Sequence, residues 1–233
     1  MVSTSEARAE QLRIRRETAQ RILEIFPGLN FKRLDATAPA WVLAVESATL
    51  DMHARIADVV EDAYLSERRA AGATGRVSFV VPELNRRLLR DTLLALGPFA
   101  AKKAMSGGGR IPDVAATVFS NTTGSALRDA MRAGRDSVRA TALRDRRAVG
   151  WRRFARAGAC RFCRMAADKG AVYKESTATF SAHLHCACTA APAFLGGEYG
   201  PEASAMQYLG AKRTRTPEEK TRLREWLGSE YPA

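Results

Sequence analysis

Residues 39–63 read PAWVLAVESATLDMHARIADVVEDA. Trp41, Val45, Ala48, Met52, Ile56, Val59 and Ala63 recur at intervals of three and four, the period that brings side chains to one face of an α-helix. The stripe holds for about six turns. Pro39, with φ fixed and no N–H, suits the helical start, and AAGATG at 70–75 suits the end. An apolar stripe of that length must be covered by other helices, so the fold expected around it is a long-helix bundle.

Working outward, Leu12, Ala19, Ile22, Leu23 and Phe26 outline a preceding helix that stops at Pro27-Gly28. VSFVVP at 77–82 reads as an extended link, after which Pro82 opens a helix through Leu84, Leu88, Thr92, Leu93 and Leu96, interrupted at Gly97-Pro98. SGGGRIP at 106–112 is a turn. Helical pattern resumes at Asp113, with a break expected at NTTG (121–124) and a restart at Ser125; Leu127, Met131, Val138 and Leu143 then form a narrow apolar line on a charged helix. Near Gly150 the character changes to aromatics and glycines without a helical stripe. The expectation is therefore a mainly α protein: a helical domain over 1–148, then a small irregular α+β module over 149–233. Its last helix is marked by Thr216 as N-cap, Pro217, Glu218 and Glu219, and docks through Leu223, Trp226 and Leu227.

The totals bound the function. With 233 residues, 46% hydrophobic and 27% charged, the chain can bury a substantial core and is not composed like a disordered tail. Its net charge of +12 makes a polyanion a reasonable partner. The first residues carry no apolar signal region, and no run of about eighteen apolar residues occurs, so no membrane association and a reducing cytoplasmic setting are expected. In that setting clustered cysteines are more often metal ligands than disulfides.

All four cysteines and two of the three histidines fall between 160 and 188. Cys160 and Cys163 form a Cys-x-x-Cys turn, which curls two thiolates towards one point. His183, His185, Cys186 and Cys188 supply two overlapping His-x-x-Cys pairs. Six donors compete for about four tetrahedral positions, and a loop of roughly twenty residues between the halves suits a structural zinc site of treble-clef or ribbon type. The competing readings are a disulfide from Cys160 or Cys163 to Cys186 or Cys188, and chance packing of small apolar thiols. Thiolate-rich zinc sites are usually closed and structural, and the zinc deaminase signature is absent, so the chain reads as a non-enzyme. A Cys/His or zinc hydrolase, with Glu175 or Asp168 as base, is the lesser alternative. His53, mid-helix, reads as packing or surface.

From Arg128 to Arg164 there are twelve arginines against three aspartates. Arg128, Arg132, Arg135 and Arg139 share a helical flank, and Arg144, Arg146, Arg147, Arg152 and Arg153 continue the band into the module. Such a band can bind nucleic acid through its phosphates, blind to sequence. A solvated face paired with acidic groups is the bland alternative. No recognition-helix or RNA-binding motif accompanies it.

These residues carry a resemblance. Gly150-Trp151, GACRFCRMAADKGAVY, Phe180 and HLHCACTAAP together resemble the C-terminal domain of Mu F-type (MuF-like) minor head proteins of tailed bacteriophages, in particular the actinobacteriophage versions, over roughly residues 148–195. Cys160, Cys163, Asp168, Gly170, His183, Cys186, Cys188 and Pro192 occupy the motif's places. Where the commoner family form has proline after the first histidine, this chain has Leu184 and His185, so either histidine can supply the imidazole. A capsid protease is sometimes fused to this domain; no Ser-His signature accompanies it here. The resemblance implies a minor capsid protein in the virion interior, present in host cytoplasm during assembly, with portal, capsid or scaffold proteins as partners and packaged DNA nearby.

Overall fold

In a computed structural model the described residues are 3–155, 158–168, 173, 180, 182–195 and 216–231. Helix α1 (Thr4–Ile25) opens with a capping box: Ser3 Oγ accepts the Glu6 N–H at 3.2 Å and Glu6 accepts the Ser3 N–H at 2.7 Å. It ends in a tight 3₁₀ turn over Phe26–Gly28, where Pro27 was expected to stop it. Its buried face is not the one hydropathy picks. Thr4, Ala7, Gln11, Ile14, Thr18 and Ile22 point inward, while Leu23 is 48% exposed. Burial of the threonines is possible because their hydroxyls are satisfied: Thr18 donates to the Ile14 carbonyl at 3.0 Å and Thr4 to Glu67 at 2.7 Å.

Helix α2 (Leu34–Ala70) runs 37 residues, about 55 Å, and buries the predicted stripe. It starts five residues before Pro39, which lies inside it. The link that follows has no regular structure up to Asn85, whose side chain caps α3 (Arg86–Leu94) by accepting the Leu88 N–H at 2.9 Å. The helix thus begins after Pro82, at the first residue able to cap it. A π-type turn over Ala95–Phe99 contains the Gly97-Pro98 interruption and leads into α4 (Ala100–Ser106).

Helix α5 (Ile111–Ala130) passes straight through NTTG, where a break was expected. Residues 122–127 are buried, and the Thr122 hydroxyl donates to the Val118 carbonyl at 2.7 Å. Tertiary burial outweighs the weak propensity of this segment. The real break is at Met131, after which α6 (Arg132–Arg144) begins. Gly134 lets α6 approach closely: a Cβ there would sit 2.8 Å from Gln11 Oε1 and 3.1 Å from Val60.

Strand β1 (Ala148–Phe154) pairs antiparallel with β2 (Thr189–Phe194), with Trp151 opposite Pro192. The proline costs no ladder bond there. Trp151 spends both its backbone groups on Tyr173, at 2.9 and 2.8 Å, on the other side. Helix α7 (Arg161–Asp168) follows Cys160. Helix α8 (Pro217–Glu230) has the predicted Thr216 cap and Glu219 box, and buries Leu227 while Trp226 stays 40% exposed. One hydrophobic core runs from Ile14, Met52 and Ile56 of the helices through Ala142 and Ala148 to Trp151, Cys163, Cys186 and Phe194. The fold is the expected one: mainly helical, with a small α+β module bearing the cysteines.

Candidate metal centre

Cys160 precedes α7 and Cys163 lies in its first turn, so the helix start presents both sulfurs to the segment before β2. The donor atoms fall into two overlapping groups, Cys160–Cys163–His183 and Cys163–Cys186–Cys188, each with all separations within 4.8 Å. Cys163 Sγ lies 3.8 Å from Cys186 Sγ. A tetrahedral zinc with metal–sulfur bonds of about 2.3 Å has sulfur–sulfur edges of about 3.8 Å. His183 Nε2 is 3.0 Å from Cys160 Sγ and 4.0 Å from Cys163 Sγ, either side of the roughly 3.6 Å edge for a nitrogen and a sulfur on one zinc. His183 Nδ1 lies 2.6 Å from the Leu184 carbonyl. As donor it fixes the tautomer that leaves Nε2 free to ligate.

His185 does not join them. Its φ is +62°, a left-handed turn that sends its ring away to α5. There Nε2 lies 3.3 Å from Ser120 Oγ, and the ring occupies the space a side chain at Gly124 would need: a Cβ there would meet His185 Nε2 at 2.6 Å. The sixth candidate is thus a docking residue. All four cysteines are free thiols, which removes the disulfide reading for this structure. Glu175 lies outside the described residues, and so does Gly170.

Two arginines read as phosphate ligands belong to this site instead. Arg135 is 1% exposed; its Nε donates to the Cys188 carbonyl at 2.8 Å and its Nη2 to the Cys186 carbonyl at 2.7 Å. Arg153 is buried, its Nη1 3.4 Å from Cys163 Sγ and its guanidinium stacked 3.8 Å from the Phe180 ring. Phe180 also faces Arg135, at 4.9 Å. Neither arginine reaches a polyanion outside the protein. The charge pattern that suggested an outward band cannot separate a buried cation from an exposed one.

A buried guanidinium needs negative charge: burial pulls Arg135 below the ordinary guanidinium range, against Cys186, Cys188 and Cys163 and with the neighbouring Arg153. The thiols respond in kind. Hydrogen bonds from Cys163 and Cys188 lower Cys186, against burial and with help from Arg135, while the same sharing with Cys186 and Cys188 raises Cys163. Cys160 is lowered: burial opposes, but hydrogen bonds from Cys163 and His183 prevail. His183 is raised despite burial, through the Leu184 carbonyl and Cys160. A soft set of sulfurs with one oriented imidazole, beside buried cations, has the donor chemistry to hold a metal ion.

The other predicted arginines divide. Arg128 bonds Asp129 and Ser125, and Arg132 bonds Asp136; with half-buried Arg139 they line one concavity beside Phe180. Arg146 and Arg147 are exposed at the α6–β1 turn, and Arg152 is half-buried in β1.

A helical protein with a compact cysteine-rich module is the class these features define. The profile of the VG15 protein family matches residues 2–211, and the chain belongs to that family, a viral gene-product family whose membership points to a phage protein. Neither the curated proteins nor the solved structures contain a match. Among the described residues no helix is long and apolar enough to cross a membrane.

Proposed function

We propose that the protein is a minor capsid, or head-morphogenesis, protein of a tailed phage or prophage, associated with the portal or capsid interior. Its C-terminal module is held by a structural zinc bound by Cys160, Cys163 and His183 with a sulfur of the Cys186/Cys188 pair. The observation that carries the zinc is the convergence of donors from two segments, in two close groups that share Cys163, beside buried cations. The capsid role rests on the family membership and on the MuF-like motif those donors form.

When bound, zinc supplies a cross-link between the Cys-x-x-Cys turn and the chain before β2. The protein's own part is to set positive charge beside the cysteines, through Arg135 and Arg153, and to orient the imidazole, through the Leu184 carbonyl. Native protein purified without chelator is expected to hold about one zinc per chain, measured by elemental mass spectrometry. Stripping it should lower the melting temperature, since metal affinity is folding energy; metal-free protein with an unchanged melt refutes the staple. Proteomics of purified heads tests the capsid role, which fails if the protein is absent from particles.

The Cys160–His183 contact of 3.0 Å also suits a thiol–imidazole dyad. The orienting group on Nδ1 is a backbone carbonyl rather than a carboxylate. Stoichiometric zinc in active heads removes this hydrolytic alternative.

A further inference from the structure

The arginine-rich segment makes its outward-facing site somewhere other than the α6 flank. Between the link after α2 and the α6–β1 turn lies an open cleft of about 350 Å³, lined by Arg68, Arg76, Arg144, Arg146 and Arg147, with Asp145 the one acidic residue among the described lining. Arg68 is buried and occupies the acceptors. It bonds Asp145 at 2.9 Å and donates to the carbonyls of Ala73, Thr74 and Gly75. Asp145 also accepts the Arg147 N–H at 3.0 Å. The Asp145 carboxylate and the carbonyls of residues 73–75 are therefore satisfied internally, and exposed guanidinium groups line the rest.

Arg76, Arg144 and Arg146 are exposed, and no hydrogen bond or ion pair holds them among the described residues. Arg147 is steadied by Thr74 Oγ1 at 3.2 Å. Three like charges at one cleft without local counter-charges repel one another and gain from any polyanion that enters. The concavity on the α6 flank differs in kind: two of its three arginines are paired with Asp129 and Asp136 inside it.

We propose that the cleft at Arg76, Arg144, Arg146 and Arg147 binds the phosphate backbone of duplex DNA. Arginine forks match phosphate oxygens. Among the described residues no aromatic side chain lines the cleft, so they offer no stacking platform of the kind single-strand binders use and phosphate contact is the interaction they favour. Binding is sequence-blind and governed by counterion release. It does not depend on the metal centre, whose failure would leave it intact.

The test is fluorescence anisotropy of the full chain with two unrelated labelled duplexes across salt. With about four phosphate contacts, affinity should fall about 150-fold between about 50 and 200 mM salt, equally for both duplexes. R76Q/R144Q/R146Q should flatten the log–log salt slope by about 2.7, whereas R128Q/R132Q should leave it unchanged. R146Q alone, should the triple variant fold poorly, should flatten it by about 0.9. An unchanged slope in both cleft variants overturns the proposal. So does equal loss in R128Q/R132Q, or an acidic polypeptide that competes as well as DNA at equal charge.

Discussion

His183 and His185 are separated by one leucine, yet one imidazole lies 3.0 Å from the Cys160 sulfur and the other packs against α5 at Gly124. The left-handed turn at His185 divides them. His183→Ala should therefore reduce zinc retention against a competing chelator by about 10-fold or more, the scale of losing one ligand or its support. His185→Ala should keep stoichiometric zinc and lower stability by about 0.5–1.5 kcal/mol, the scale of one hydrogen bond, since the ring and its Ser120 partner are exposed; chelator competition and urea unfolding check the pair. The donor types and their spacing were legible in the sequence, because Cys-x-x-Cys and His-x-x-Cys constrain local geometry. Which histidine ligates was not, since that depends on one backbone dihedral and on a glycine sixty residues earlier in the chain. The roles of Arg135 and Arg153 were hidden for a similar reason: arginine at helical spacing looks the same whether it faces water or a buried sulfur.

Within helices, glycine normally costs about 1 kcal/mol against alanine, so Gly124 in the middle of α5 ought to improve on replacement. Here that gain is opposed. A methyl group would lie 2.6 Å from Nε2 of the exposed His185 ring, which must swing off α5 and give up its Ser120 contact, so Gly124→Ala should fall short of the usual gain by about 0.5–1.5 kcal/mol, the scale of the hydrogen bond given up. In a His185→Ala background the same change should be neutral or stabilising, and a double-mutant cycle by urea denaturation reads the coupling. The element pattern explains the misread break as well. NTTG has the composition of a loop, but its glycine and threonines are what lets α5 accept the ring and bury its flank. α1 shows the converse, with Gln11 and Thr18 on the core side and Leu23 outside. Apolar periodicity found α2 because its stripe is long and unmixed. It misjudged faces where satisfied polar groups share the interior.

At the scale of the molecule, each buried charged side chain among the described residues is met by a partner from another element. Glu46 on α2 is almost fully buried and accepts from Arg86 at 2.7 Å and Arg90 at 2.6 Å, which ties α3 to the long helix. Burial works against its ionisation, but the two arginines prevail and hold its carboxyl below the ordinary range. A carboxyl depressed in the folded state contributes stability above its unfolded pKa and loses it as pH falls through the folded one. Glu46→Gln should therefore cost about 1–2 kcal/mol at neutral pH, discounted because both arginines are partly solvated. The gap from wild type should close as pH falls below about 4, as urea titrations at several pH values would show. Arg135 carries the same logic into the order of synthesis. Its carbonyl partners lie 51 and 53 residues further along the chain, so the acceptors that satisfy this buried cation are made well after the helix that carries it. Packing of α6 and of the Cys186–Cys188 segment is thereby expected to be completed together, as one cooperative step.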